Sequence, residues 1–169
     1  MRVTSFGLFW RKSEVEWYPG QGNRGQFHLI GRIGANSGRV RLADFRKQQG
    51  IYILYDEYGS VYTGLTRNQG LGKRLKDHTD DHLAGKWDRF SWFEFHPLGP
   101  VSNGVQGIND QADDIDEGTD ASIGDLEALL IKVLNPRLNK SKMKLQDAEE
   151  WTQVPLDDVE IYRERVLKA

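Results

Sequence analysis

A chain of 169 residues with no cysteine suits one domain, or one domain with a small appendage, and excludes disulfides and thiolate metal sites. Five Trp and seven Phe supply bulk for a core. No apolar run is long enough to span a membrane, and the MRVTSFGLFWRK start is charged too early for a secretory signal, so a cytoplasmic location is expected.

The net charge of −2 hides a split. Seven acidic residues and no basic ones fall between Gly107 and Asp125, leaving 23 basic against 18 acidic residues elsewhere. The first 49 residues hold nine Lys/Arg against three Asp/Glu. Contacts to a polyanion need clustered positive charge, not a positive total, so the composition admits such a partner without requiring one.

Residues 1–49 form a basic, aromatic, β-rich N-terminal extension, with turns predicted at Pro19-Gly20 and Asn36-Ser37-Gly38. Its end, RVRLADFRKQ, can close with a helical turn. Three roles are open to this segment: extending a sheet, gripping a polyanion through Arg39, Arg41 and Arg46, or forming a dimer face. Residues 50–64, GIYILYDEYGSVYTG, predict a hairpin, because two β-favouring runs flank the turn residues Asp56-Glu57-Tyr58-Gly59. A helix is expected over 69–84 and an aromatic strand over 88–95, closed by Pro97 and Pro100.

Residues 99–121 are rich in Gly and Asp without a hydrophobic period, and predict a mobile acidic loop or insertion. Ser122 can cap a helix running to about Leu134, stopped before Pro136. A C-terminal extension over 141–169 ends in a helix from about Leu156 to Leu167. The element order predicts an α/β (α+β) fold, with a small mixed or antiparallel sheet flanked by helices and a core over 50–140.

Three sets of residues can carry chemistry. Tyr52 and Tyr62 lie ten apart across the hairpin, and leave the same face if the paired residue numbers sum to an even value. They can equally be ordinary strand tyrosines. On the following helix, Leu71, Leu75, His78 and His82 share one face with Arg74 at its edge, while Lys73, Lys76 and Asp80 fall on the solvated side. Arg74 and His78 can aim donors into one cleft, or serve as a snorkelling cation and a packing residue. Glu127 projects into the apolar arc of Leu126, Leu129, Leu130, Ile131, Val133 and Leu134, with Lys132, Ala128 and Asp125 on the polar side. A carboxylate so placed is expensive unless paired, protonated or bound to a metal. A salt bridge to Arg74 and a Mg²⁺ site are both open.

Together these residues resemble the GIY-YIG nucleases, a family that includes phage homing endonucleases, some restriction enzymes and the incision half of the nucleotide-excision nuclease. Gly50-Ile51-Tyr52 matches the first motif and Tyr62-Thr63-Gly64 the second, with Thr63 where Ile or Val is common. Lys73-Arg74-Leu75-Lys76-Asp77-His78 is similar to the stretch bearing the family's catalytic arginine. Glu127 in LEALLIKVLNPRLN fits the metal-binding glutamate, and Pro136-Arg137-Leu138-Asn139 the ending that carries an active-site asparagine.

The resemblance implies a GIY-YIG nuclease-like fold and hydrolysis of phosphodiester bonds in DNA, with RNA as an alternative substrate. It implies Mg²⁺ (or Mn²⁺) held by Glu127, Tyr52 as general base, and Arg74 on the phosphoryl oxygens. Tyr62 and Asn139 would position water or phosphate, His78 would be a support or alternative base, and Arg67 and Lys73 would contact phosphates. Restriction or phage defence, action as a homodimer or beside a partner subunit, and a nucleic-acid-binding module without turnover are all compatible with it.

Overall fold

The computed structural model describes residues 3–19, 26–34, 40–66, 69–95, 98–102, 105–108, 128–129, 132–133 and 148–167. Their strands are β1 (Ser5–Arg11), β2 (Ile30–Ile33), β3 (Arg41–Asp44), β4 (Gly50–Tyr55), β5 (Ser60–Leu65), β6 (Arg89–Glu94), β7 (Leu98–Ser102), β8 (Val105–Ile108), β9 (Glu149–Glu150) and β10 (Thr152–Gln153). The helices are α1 (Leu71–Asp80) and α2 (Leu156–Leu167). The fold is mixed α+β, dominated by two five-stranded sheets.

The first sheet runs β5-β4-β6-β1-β9, antiparallel except for the parallel β1–β9 pair. One edge of it is the expected hairpin, with β5 outermost and β4 inside it. Asp56 closes the turn, its Oδ1 accepting from the N–H of Tyr58 at 2.8 Å and of Gly59 at 3.0 Å, the local bonding that makes Asp a turn residue. At the open end, Thr66 Oγ1 accepts from Gly50 N at 2.7 Å. From the extension, β1 pairs with β6, the sheet-extending role among the three open to it.

A second sheet was not foreseen. It runs β10-β2-β3-β8-β7, and β7 and β8 fall largely in the stretch from residue 99 that the composition predicts as a loop. Pro100 falls within β7, the outermost strand, where a missing N–H need not break a ladder. The helical turn foreseen in RVRLADFRKQ is present as a 3₁₀ turn at Phe45–Lys47, capped by Asp44, which accepts from Arg46 N. Burial alone would raise the Asp44 carboxyl; hydrogen bonds from His28 and from the N–H groups of Arg46 and Leu29 outweigh it and hold the group low.

Trp151 joins the two sheets. It lies between β9 in the first and β10 in the second, buried, donating its backbone N–H to Phe6 O at 2.8 Å. Around it Trp10, Phe45, Phe90 and Trp92 form the main core, with the Phe45 and Trp92 rings 4.1 Å apart. Burying one such side chain contributes roughly 1.5–3 kcal/mol. In β4, period-two alternation sends Tyr52 and Leu54 into this core and Ile53 and Tyr55 to the opposite face.

Helix α1 covers the Tyr52 face through Leu71, Leu75 and His78. It ends at Asp80, earlier than expected, because Asp81 is extended (φ −91°, ψ −162°) and its side chain takes the Leu83 N–H at 2.8 Å. His82 therefore lies beyond the helix, its side chain 75% exposed, and does not share the buried face with His78. Lys76 is half-buried against the Tyr18 and Phe27 rings, so its side of the helix is partly covered.

On the opposite face of the first sheet, helical residues 128–129 and 132–133 pack near Phe6, Ile53 and Phe93. Ala128 is fully buried there and Lys132 lies over the Phe6 ring at 4.8 Å, so these two do not form the solvated side expected of them.

Candidate active site

The pairing register decides the geometry of the two tyrosines. Tyr52 faces Gly64, and Leu54 faces Tyr62, so paired numbers sum to 116 and both phenols leave the same face. Their ring centroids are 6.1 Å apart. An added Cβ at Gly64 would overlap the Tyr52 ring and hydroxyl. Gly64 thus lets the phenol cross β5 toward α1, a physical reason for glycine at the third place of Tyr62-Thr63-Gly64. Gly50 has another: a Cβ there would strike the Phe93 carbonyl on the neighbouring strand.

The Tyr52 hydroxyl ends 2.8 Å from His78 Nε2, and both residues are buried. The other imidazole nitrogen, Nδ1, is 2.7 Å from Asp81 Oδ2. Trp87 Nε1 donates to the His78 carbonyl at 3.0 Å, fixing the backbone beneath the ring. The Tyr62 and His78 rings meet edge to face with centroids 5.1 Å apart.

Electrostatics follow from this packing. Burial first, and then the neighbouring Tyr62, push the Tyr52 phenol up to about 12 against the opposing pull of the Arg74 guanidinium, which also hydrogen-bonds it. The Asp81 carboxyl is held low, first by the Leu83 N–H and then by His78, so it is an ionised acceptor at neutral pH. Tyr52 is fully buried, whereas Tyr62 and Arg74 are half-buried and supply the outer rim.

Tyr52, Tyr62, Arg74 and His78 are therefore brought together. Lys73 is exposed on α1. Arg41 is held elsewhere, paired through both terminal nitrogens with the Glu149 carboxylate and lying 5.4 Å from the Trp151 ring. Arg46 donates to Gln26 Oε1 at 3.0 Å and to the Phe27 carbonyl. Arg39, Arg67, Glu127 and Asn139 lie outside the described residues, as do the predicted Ser122 cap and residues 109–121.

Two features escaped the sequence. Asp81 carries a readable signal, since an acid three residues after a helical histidine can reach its ring. The place of Gly64 against Tyr52 needs the register, which only the pairing supplies.

Among the described residues no group of three or more His, Cys, Asp or Glu could hold a metal ion. The donors around Tyr52 are a second phenol, a guanidinium and an imidazole engaged at both nitrogens, and this set does not fit a divalent ion by itself. Compared with protein-family models, curated proteins and solved structures, the chain has no match. Among the described residues no helix is long and apolar enough to cross a membrane.

Proposed function

We propose that the chain is an endonuclease of the GIY-YIG type that hydrolyses phosphodiester bonds in DNA, with restriction or phage defence as its setting. The observation that supports this most is the convergence of Tyr52, Tyr62, Arg74 and His78, four motif positions from two strands and a helix, on one cluster with a buried Tyr52–His78 hydrogen bond and Tyr62 and Arg74 at its rim.

In this proposal Arg74 neutralises charge developing on the phosphoryl oxygens, which its planar fork of donors suits. Tyr62 positions the attacking water. A phenol at about 12 is a poor base near neutrality. The base is accordingly the Tyr52–His78 pair: as Tyr52 accepts a proton from the water, its own proton passes to His78 Nε2. Hydroxide adds to phosphorus, the bond to the leaving oxygen breaks, and solvent protonates that oxygen.

The family's divalent ion would supply further charge neutralisation at the phosphate. Its one expected ligand, Glu127, lies outside the described residues, so no step is assigned to it. A DNA-binding module without turnover is the second possibility, favoured by the complete burial of Tyr52 and the high position of its phenol, which make it a poor base.

Cleavage of plasmid DNA with Mg²⁺ or Mn²⁺ by wild type and Glu127→Ala separates them. Metal-dependent cleavage lost in the variant supports the nuclease. Cleavage retained in full removes the metal-ligand role, and DNA binding without cleavage by wild type favours the module.

A further inference from the structure

The Tyr52 hydroxyl, the His78 ring and the Asp81 carboxylate form a continuous buried-to-surface chain with steps of 2.8 Å and 2.7 Å. A carboxylate can only accept, so the His78 nitrogen facing Asp81 carries the proton and Nε2 of the neutral ring is bare. The Tyr52 hydroxyl must then donate inward to His78, and its lone pairs are left for the Arg74 and Tyr62 side. Its outer end and its middle are anchored independently of it: Leu83 N–H holds Asp81 Oδ1 at 2.8 Å, and Trp87 holds the His78 backbone.

We propose that Asp81 is a positioning residue for this site, fixing the His78 tautomer so that Nε2 takes the Tyr52 proton and the resulting imidazolium stays paired. The catalytic consequence rests on the nuclease proposal; the tautomer does not. No motif of the resemblance includes Asp81. The groups that face His78 are Tyr52 and Tyr62 from the sheet and Asp81 after its own helix, while Arg74, one turn earlier on that helix, is engaged with Tyr52. His82 lies 3.7 Å beyond, on Asp81, and is largely exposed.

The test is ¹⁵N-edited NMR of the imidazoles near neutral pH, with the His78 signals assigned by loss in His78→Gln, beside the pH–rate profile of DNA cleavage. Asp81→Asn keeps an oxygen for the Leu83 N–H while turning an NH₂ toward Nδ1. The expected result is a wild-type His78 protonated on Nδ1, and a variant in which that proton moves to Nε2. With it, kcat falls roughly 100-fold, KM is little changed and the acidic limb of the profile shifts. If Asp81→Asn fails to fold, Asp81→Ser, which keeps an acceptor for Leu83, is read the same way.

A wild-type His78 protonated on Nε2, or a variant with unchanged tautomer and profile, overturns the proposal. The expected tautomers in a protein that cleaves nothing would support the positioning chain and remove only the nuclease.

Discussion

Replacing Gly64 with alanine places a methyl group where the Tyr52 ring already lies, and the two cannot share the space. Tyr52 is fully buried among Leu54, Leu75 and His78, so its ring has no free volume to retreat into. Relief must come from β5, the outermost strand of its sheet, moving away from β4. Overpacking of this kind costs about 1–3 kcal/mol. Alanine in place of glycine also returns about 0.4–1 kcal/mol by restricting the unfolded chain, so the net destabilisation is about 1–2 kcal/mol. For a chain of this size that lowers Tm by about 2–4 °C per kcal/mol.

Urea and thermal unfolding measure the effect, and a double-mutant cycle with Tyr52→Leu isolates its cause. In the Tyr52→Leu background the ring is gone, and Gly64→Ala should become neutral or stabilising. Equal costs in both backgrounds would refute the claim that Gly64 exists to admit the phenol.

The Tyr52 phenol sits at about 12 against an ordinary 10.0. Its contribution to stability is therefore complete below pH 10 and lost as pH rises through about 12. Tyr55 is shifted the same way by burial, so Tyr52→Phe should remove part, not all, of the alkaline loss of stability seen in urea titrations across that window. An unchanged alkaline slope would contradict the burial argument. Lys73 is exposed and should act on DNA: Lys73→Ala is expected to lower the salt dependence of binding by about one ion. Arg41→Ala should leave that slope unchanged and cost up to about 1 kcal/mol of stability, because its guanidinium is engaged by Glu149 and Trp151; salt slopes reversed between the two would overturn this division.

The hairpin and helix that carry the site were legible because their signals are local. Alternating β-formers around Asp56–Gly59 define β4 and β5, and the spacing of Leu71, Leu75 and His78 defines the buried side of α1. The end of the helix is not legible in the periodicity, since the competition of the Asp81 side chain for backbone N–H groups overrides that pattern. The second sheet was not legible. Its pairings join β3 to β8 and β2 to β10, and no local pattern encodes contacts so far apart along the chain. Likewise, Val105 reads as an isolated apolar residue in a Gly-rich stretch until Ile30, Leu42 and Val154 are found around it. A shared Tyr52–Tyr62 face depends on the register, and the observed pairing meets that condition.

On the proposed function, the cluster around Tyr52 cleaves DNA with Arg74 at its rim. Incubating supercoiled plasmid with Mg²⁺ and either wild type or Arg74→Ala, after circular dichroism has confirmed that both fold, tests this. Nicked or linear product from wild type, with a loss of roughly 100-fold or more in the variant, is the predicted result. Cleavage at equal rates by the two folded proteins would contradict it.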